Sequence, residues 1–321
     1  MIKTLNAFRF IGMLMIFLCH VDFIHGTDCL FLNNIVRYWG LGGIGVELFI
    51  VMSGFVMTLG YWNKFTTVGR MEYVNFIINR ISRIYPIYFI FLMVSIVYMW
   101  NFFTTETIPT SLKFIIHLLL LQTVFPATGL ATAFNGAAWT LATLFVLYLI
   151  TPFIFRIIKW NLKFFLGIFG VYVLAAYIVG GYIELSIPSM ETWFFYFSPF
   201  FRIVDYIIGI IGAIFFLKLK KRKQEVKWVY SIIECIALFM FGFCMIEQVN
   251  MWILRGVCLT IIMVFSFQNG FISKYLSASF WSVLGEISFS FYLIHYLVLM
   301  WVTKFILMNN LEKNVFVSVA L

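Results

Sequence analysis

The run LNAFRFIGMLMIFLCHVDFIHG, residues 5–26, is apolar enough to cross a bilayer, yet it carries Arg9 and His20 inside it. On an α-helix that spacing is a net rotation of about 20° and a rise of about 16 Å. Both residues therefore fall on one helix face, half a membrane apart in depth. A permanent cation and a titratable ring are costly in lipid, and where they occur they mark function.

The rest of the chain has the same character. It is 63% hydrophobic and 11% charged, with mean hydropathy +1.01, which excludes an ordinary soluble domain. Spans are expected at roughly 7–25, 41–61, 84–103, 138–156, 163–181, 194–217, 228–246, 251–267, 281–306 and 314 onward, each near the length a bilayer requires. The expectation is an all-α polytopic protein forming a single membrane domain over residues 1–321. No repeat is apparent. The last run, NVFVSVAL, stops after about eight apolar residues, so the final helix is expected to be incomplete. The N-terminus reads as a retained helix, because His20 interrupts the apolar run and no small-residue cleavage site follows. Cys19, Cys29, Cys235, Cys244 and Cys258 show no metal-binding spacing; most read as small core residues, and Cys29 as a loop residue. No metal is expected.

The net charge of +9 reads as topology, with the lipid bilayer and not nucleic acid as partner. Basic residues cluster at Lys3 and Arg9, at Lys64 to Arg83, at Arg156 to Lys163, and in KLKKRKQEVK from Lys218. SLKFIIHLLLLQTVF, residues 111–125, is short and carries Lys113 and His117. If it crossed, the last two clusters would lie outside. If it stays at the outer interface, all four lie in the cytoplasm, as the positive-inside rule requires. The prediction is about ten crossings, a cytoplasmic N-terminus, one short non-spanning outer-side helix and a multi-pass location in the cell membrane.

That orientation puts Arg9 at the cytoplasmic rim and His20 deep in the membrane. Helix two descends through GGIGVELFIVMSGFVM, and counting about 1.5 Å per residue brackets His20 in depth between Glu47 and Ser53. A carboxylate beside an imidazole can set its tautomer and raise its basicity, as a general base requires. Ser53 offers a hydroxyl; with Gly54 it equally reads as a small-residue contact between helices. NRISRIYPIY places Arg80 and Arg83 one turn apart, ahead of the third span, at the same rim as Arg9. Three guanidiniums at one level can clamp phosphates, or simply anchor the inner face. In LGEISFSFYLIHYLVL, Ser288, Tyr292 and His295 form one polar stripe, readable as a site or as interhelical glue.

At these residues the chain resembles the membrane-bound acyltransferase 3 family, which moves acyl groups from cytoplasmic acyl-CoA to extracytoplasmic acceptors. The resemblance is carried in order by Arg9–x10–His20, LFIVMSGF from Leu48, RISRIYP from Arg80, WTLATLFVLYL from Trp139, FRIVDYIIG from Phe201, and SFSFYLIH ending at His295. It implies that His20 is catalytic and that Arg9, Arg80 and Arg83 belong to the acyl-CoA site. Many members have a glutamate where this chain has Leu144, and larger members add a C-terminal hydrolase-like domain.

The expected function is an integral membrane O-acyltransferase that passes an acetyl group from acetyl-CoA to a hydroxyl of an extracytoplasmic glycan or lipid-linked glycan. His20 would be its base, with Glu47 and Ser53 beside it, and Trp139, Tyr292 and His295 would receive the acceptor. Trp139 also fits an interfacial belt. A transporter of glycan or lipid precursors and a non-catalytic relative are the alternatives. The transporter would favour an internal repeat with broken helices.

Overall fold

The computed structural model describes residues 2–21, 41–65, 69–99, 109–220, 227–247 and 249–308. Among these described residues eleven α-helices follow in order: α1 (Thr4–Cys19), α2 (Leu41–Tyr61), α3 (Arg70–Met99), α4 (Thr110–Leu118), α5 (Trp139–Trp160), α6 (Leu162–Ser186), α7 (Pro199–Lys220), α8 (Lys227–Glu247), α9 (Met251–Ser266), α10 (Phe271–Leu276) and α11 (Ser279–Met308). A 3₁₀ turn and a π turn, Trp193–Phe197, lead into α7. No strand occurs among the described residues.

Seven helices (α2, α3, α5, α6, α7, α8 and α11) are long and apolar enough to cross a membrane, while α1 and α9 are shorter apolar helices. The protein is an all-α polytopic membrane protein. Helices stand at nine of the ten expected spans; the tenth, from 314 onward, lies outside the described residues, as does Cys29. At 111–125 only the nine-residue α4 is helical.

The boundaries follow local chemistry. Asn161 separates α5 from α6 and caps the latter, its side chain accepting from the Phe164 N–H at 3.0 Å. Asn250 caps α9 in the same way through Trp252. Two expectations are corrected. α1 ends at Cys19 with His20 as its C-cap, so His20 closes the helix instead of lying within it. α3 begins at Arg70, well ahead of residue 84, because MEYVNFIINRIS contains no helix breaker. Arg80 and Arg83 therefore lie inside the helix and not before it.

The helices gather into two compact units, one comprising residues 1–55 with 208–321 and the other residues 56–207. In the first unit α1 packs on α11, α9 and α10, and α8 packs on α9 and α10. Thr4 donates to the Phe265 carbonyl at 2.7 Å, and the Phe8 and Phe265 rings meet edge-on at 4.9 Å. Gly209 lets α7 lie directly on α2: a Cβ there would sit 2.0 Å from the Val51 carbonyl oxygen. Close approach through small residues is how helices associate where lipid offers no hydrophobic drive.

In the second unit α5 packs on α3 and α6. The Lys159 ammonium donates to the carbonyls of Trp62 and Phe65, satisfying backbone beyond the end of α2. Thr151 and Tyr206 join α5 to α7 at 2.8 Å. The spans differ in surroundings: 78% of the apolar window in α2 is buried against 11% in α6, so α6 lies mostly at the surface and α2 mostly in the interior.

Candidate active site

Within the first unit, α1 presents Arg9 and His20. Arg9 is half-buried and donates to Asn6 Oδ1, one turn back, at 3.1 Å. The His20 ring is half-buried, and its Nδ1 lies 2.7 Å from the Ile16 carbonyl oxygen. A carbonyl only accepts, so Nδ1 carries the proton and a neutral His20 keeps its lone pair on Nε2. The tautomer expected from a carboxylate neighbour is set instead by the helix's own backbone.

Glu47 finds a different partner. Its Oε1 accepts from Arg255 Nε at 3.3 Å, with both side chains 1% exposed. The guanidinium also lies over the Trp252 ring, 4.3 Å from its centre. Ser53 is half-buried on the same helix, six positions on.

On α11, Tyr292 and His295 are buried while the Ser288 hydroxyl turns back to the Gly285 carbonyl at 2.8 Å. The Tyr292 ring stands 6.1 Å from Phe49 of α2 and 5.7 Å from His295. His295 and His20 meet with ring centres 5.3 Å apart. The stripe read from the sequence thus brings its histidine to α1, while its serine bonds back within α11. Elsewhere in this unit, Glu234 accepts the Ile272 and Ser273 backbone N–H groups at 3.0 and 3.2 Å and the Ser273 hydroxyl. That buried acid serves the N-terminus of α10.

The second unit holds Arg80, Arg83 and Trp139. Arg80 Nη2 donates to the Tyr61 hydroxyl at 2.8 Å, and its guanidinium lies over the rings of Tyr61 and Phe76 at 5.1 and 5.9 Å. Its Nε is buried with no hydrogen-bond partner among the described residues. Arg83 is exposed. Trp139, buried at the start of α5, packs its ring on Tyr196 and Phe197 at 4.8 and 5.0 Å. Behind it Arg202 donates through Nε to the Tyr196 carbonyl at 3.0 Å, lies over that ring, and pairs with Asp205 at 3.1 Å.

The α4 segment is polar inside. His117 Nε2 donates to the Leu130 carbonyl at 2.8 Å, so Nδ1 holds the lone pair, buried with no partner among the described residues. Burial first, then the Lys113 charge, pushes His117 down to about 4, although the Leu130 bond opposes this. Burial likewise lowers Lys113.

Residues 2–321 match the acyltransferase 3 model, described as an acyltransferase domain. The chain belongs to the acyltransferase 3 family. It is similar to acyltransferase MdmB of Streptomyces mycarofaciens, 24% identical over 93% of this chain and 79% of that protein. It is similar to O-acetyltransferase OatA of Staphylococcus aureus, 20% identical over 87% of this chain and 50% of that protein. A putative acetyltransferase of Acidianus two-tailed virus, ORF330, is 27% identical over 60% of this chain and 54% of that protein. The chain thus spans about half the length of OatA and of the viral protein. No solved structure matches it.

In this acyltransferase 3 protein the motifs acquire contacts. Arg9–x10–His20 puts a tethered guanidinium and a C-capping imidazole on one short helix, and SFSFYLIH brings His295 to that imidazole. FRIVDYIIG supplies the Arg202–Asp205 pair and the Gly209 contact. Arg255 is the residue that sequence reasoning missed. Its signal was present: a lone arginine in the apolar run MWILRGVCL must find an acid. Arg202 was missed in the same way, being read only as part of a motif.

Proposed function

We propose that this membrane acyltransferase is an O-acetyltransferase that moves an acetyl group from cytoplasmic acetyl-CoA to a hydroxyl of an extracytoplasmic glycan or lipid-linked glycan. The carrying observation is the His20 ring, whose Nδ1 is committed to the Ile16 carbonyl and whose Nε2 lone pair is left for chemistry. His20 Nε2 takes the acceptor hydroxyl proton as that oxygen attacks the thioester carbonyl carbon. The carbon–sulfur bond breaks, and the imidazolium returns the proton to the departing thiolate, so the products are an acetyl ester and free CoA.

Arg80 suits the donor's phosphates: a guanidinium braced by two aromatic rings still has a buried, unpartnered Nε–H to offer an oxyanion. Arg9 in the first unit and Arg83 in the second each carry further positive charge suited to a phosphate. Trp139 and Tyr292 each offer an aromatic ring to the acceptor, His295 stands beside the His20 ring, and Ser53 contributes a hydroxyl from α2. Glu47 acts through its pair with Arg255. The similarity to OatA, an O-acetyltransferase, and to ORF330, a putative acetyltransferase, supports acetyl as the transferred group.

The test is acetyl transfer from labelled acetyl-CoA to candidate glycans by purified protein. Wild type is expected to transfer label, and His20→Ala to lose at least a hundredfold. Full transfer by His20→Ala would remove His20 from the chemistry. No binding of acetyl-CoA by stable wild-type protein would remove the donor assignment.

A further inference from the structure

Two histidines meet in the first unit, and only one of them is used above as a base. His20 at the end of α1 and His295 in α11 lie with ring centres 5.3 Å apart and planes inclined by 63°. Each ring directs Nδ1 at a backbone carbonyl of its own chain segment, Ile16 at 2.7 Å and Tyr292 at 2.6 Å. Both Nδ1 atoms must therefore donate, and both neutral rings keep their lone pairs on Nε2. The His295 Nε2 is buried and has no hydrogen-bond partner among the described residues. An acceptor left unmatched in such a place is costly, and its retention calls for a proton that arrives during function.

We propose that His295 is the proton-sharing partner of His20, so that the two imidazoles hold one proton between them during acyl transfer. This rests on the reading of His20 as the general base. When His20 Nε2 takes the acceptor proton, the ring becomes a cation with an N–H at each nitrogen. No hydrogen bond joins the two rings at rest; the Nδ1–H of His20 already has the Ile16 carbonyl, so the new Nε2–H is the one that turns from the acceptor oxygen to the lone pair of His295. The acceptor oxygen forms its bond to the acetyl carbon, the carbon–sulfur bond breaks, and the shared proton passes to the thiolate. No electrons are exchanged.

The surroundings favour one proton and not two. Phe17 and Phe291 lie against the His295 ring at 6.1 and 6.4 Å, Tyr292 at 5.7 Å, and Tyr296 stands 5.6 Å from His20. Two imidazolium charges in such an aromatic setting would repel each other strongly, whereas a single charge divided over two rings is stabilised. His295 acts through His20, which makes it a positioning residue.

The experiment is a double-variant cycle on the full chain in detergent or nanodiscs, with labelled acetyl-CoA and a glycan acceptor that wild type uses. His295→Phe keeps the aromatic packing and removes the lone pair. It is expected to lower kcat at least tenfold with KM for acetyl-CoA unchanged. The His20→Ala/His295→Phe double variant is expected to be no slower than His20→Ala alone, as for groups acting as one unit. If His295→Phe does not fold, His295→Gln replaces it: its amide still reaches a carbonyl but cannot hold a proton, and the same loss is expected. Wild-type kcat in the single variant, or multiplicative losses in the double variant, would overturn the pair and leave the acetyltransferase reading intact. Full transfer by His20→Ala would overturn the base reading and the pair that rests on it.

Discussion

Glu47 and Arg255 stand 208 residues apart in the chain and meet in a 3.3 Å ion pair with both side chains 1% exposed. The pair ties α2 to α9 in the first unit. Removing one partner strands the other charge away from water. Arg255→Leu is therefore expected to destabilise the protein by about 3–5 kcal/mol, and Glu47→Leu/Arg255→Leu by clearly less. Thermal unfolding in detergent reads both. Equal losses in the single and double variants would show that the charge left behind is not the cause.

Arg80 and Arg83 are one turn apart on α3, but only Arg80 is braced by aromatic rings. Arg80→Ala is expected to raise KM for acetyl-CoA about tenfold, a loss of about 1.4 kcal/mol, with kcat little changed. Arg83→Ala, at an exposed position, should stay within about twofold of wild type. The reverse ranking would move the donor's phosphates to Arg83.

Gly209 and Gly181 form a contrasting pair. A Cβ at Gly209 would sit 2.0 Å from the Val51 carbonyl oxygen, whereas one at Gly181 meets nothing within 4 Å. Gly209→Ala must push α7 off α2 and should cost about 1–3 kcal/mol. Gly181→Ala should be neutral or slightly stabilising. Melting temperatures of the two variants test this, and similar values would disprove the close contact.

His117 makes the protein acid-sensitive. Its value falls from 6.5 to about 4 on folding, so between those pH values the unfolded chain binds the extra proton and the folded one does not. Its stabilising contribution is complete above pH 6.5 and is lost as pH falls toward 4, amounting to roughly 3 kcal/mol across the window. The wild-type melting temperature should drop more steeply over that range than that of His117→Gln. Parallel curves would assign the acid sensitivity to other groups.

Much of the architecture was legible because its causes are local. Hydropathy over a window of bilayer length locates α2, α5, α6, α8 and α11, and the eleven-residue step from Arg9 to His20 is a property of one helix. The helix ends were less legible. The start of α3 at Arg70 follows from uninterrupted helix-forming residues that hydropathy discounts as polar. Ser288 shares a helix face with Tyr292 and His295, and its hydroxyl satisfies itself on the preceding turn, a bond that spacing alone does not reveal.

The class of molecule, the apolar spans and the ordered motifs from Arg9 to His295 are readable along the chain. Hydropathy, periodicity and the cost of charge in lipid all act on residues near one another in the chain. Packing between helices sets which polar groups meet: Glu47 with Arg255, Glu234 with the start of α10, and the His20 ring with that of His295. Those pairings depend on how each helix is rotated and which neighbour it faces. Close packing sets that rotation, and an acid or a histidine in an apolar run looks the same whichever way its helix is turned.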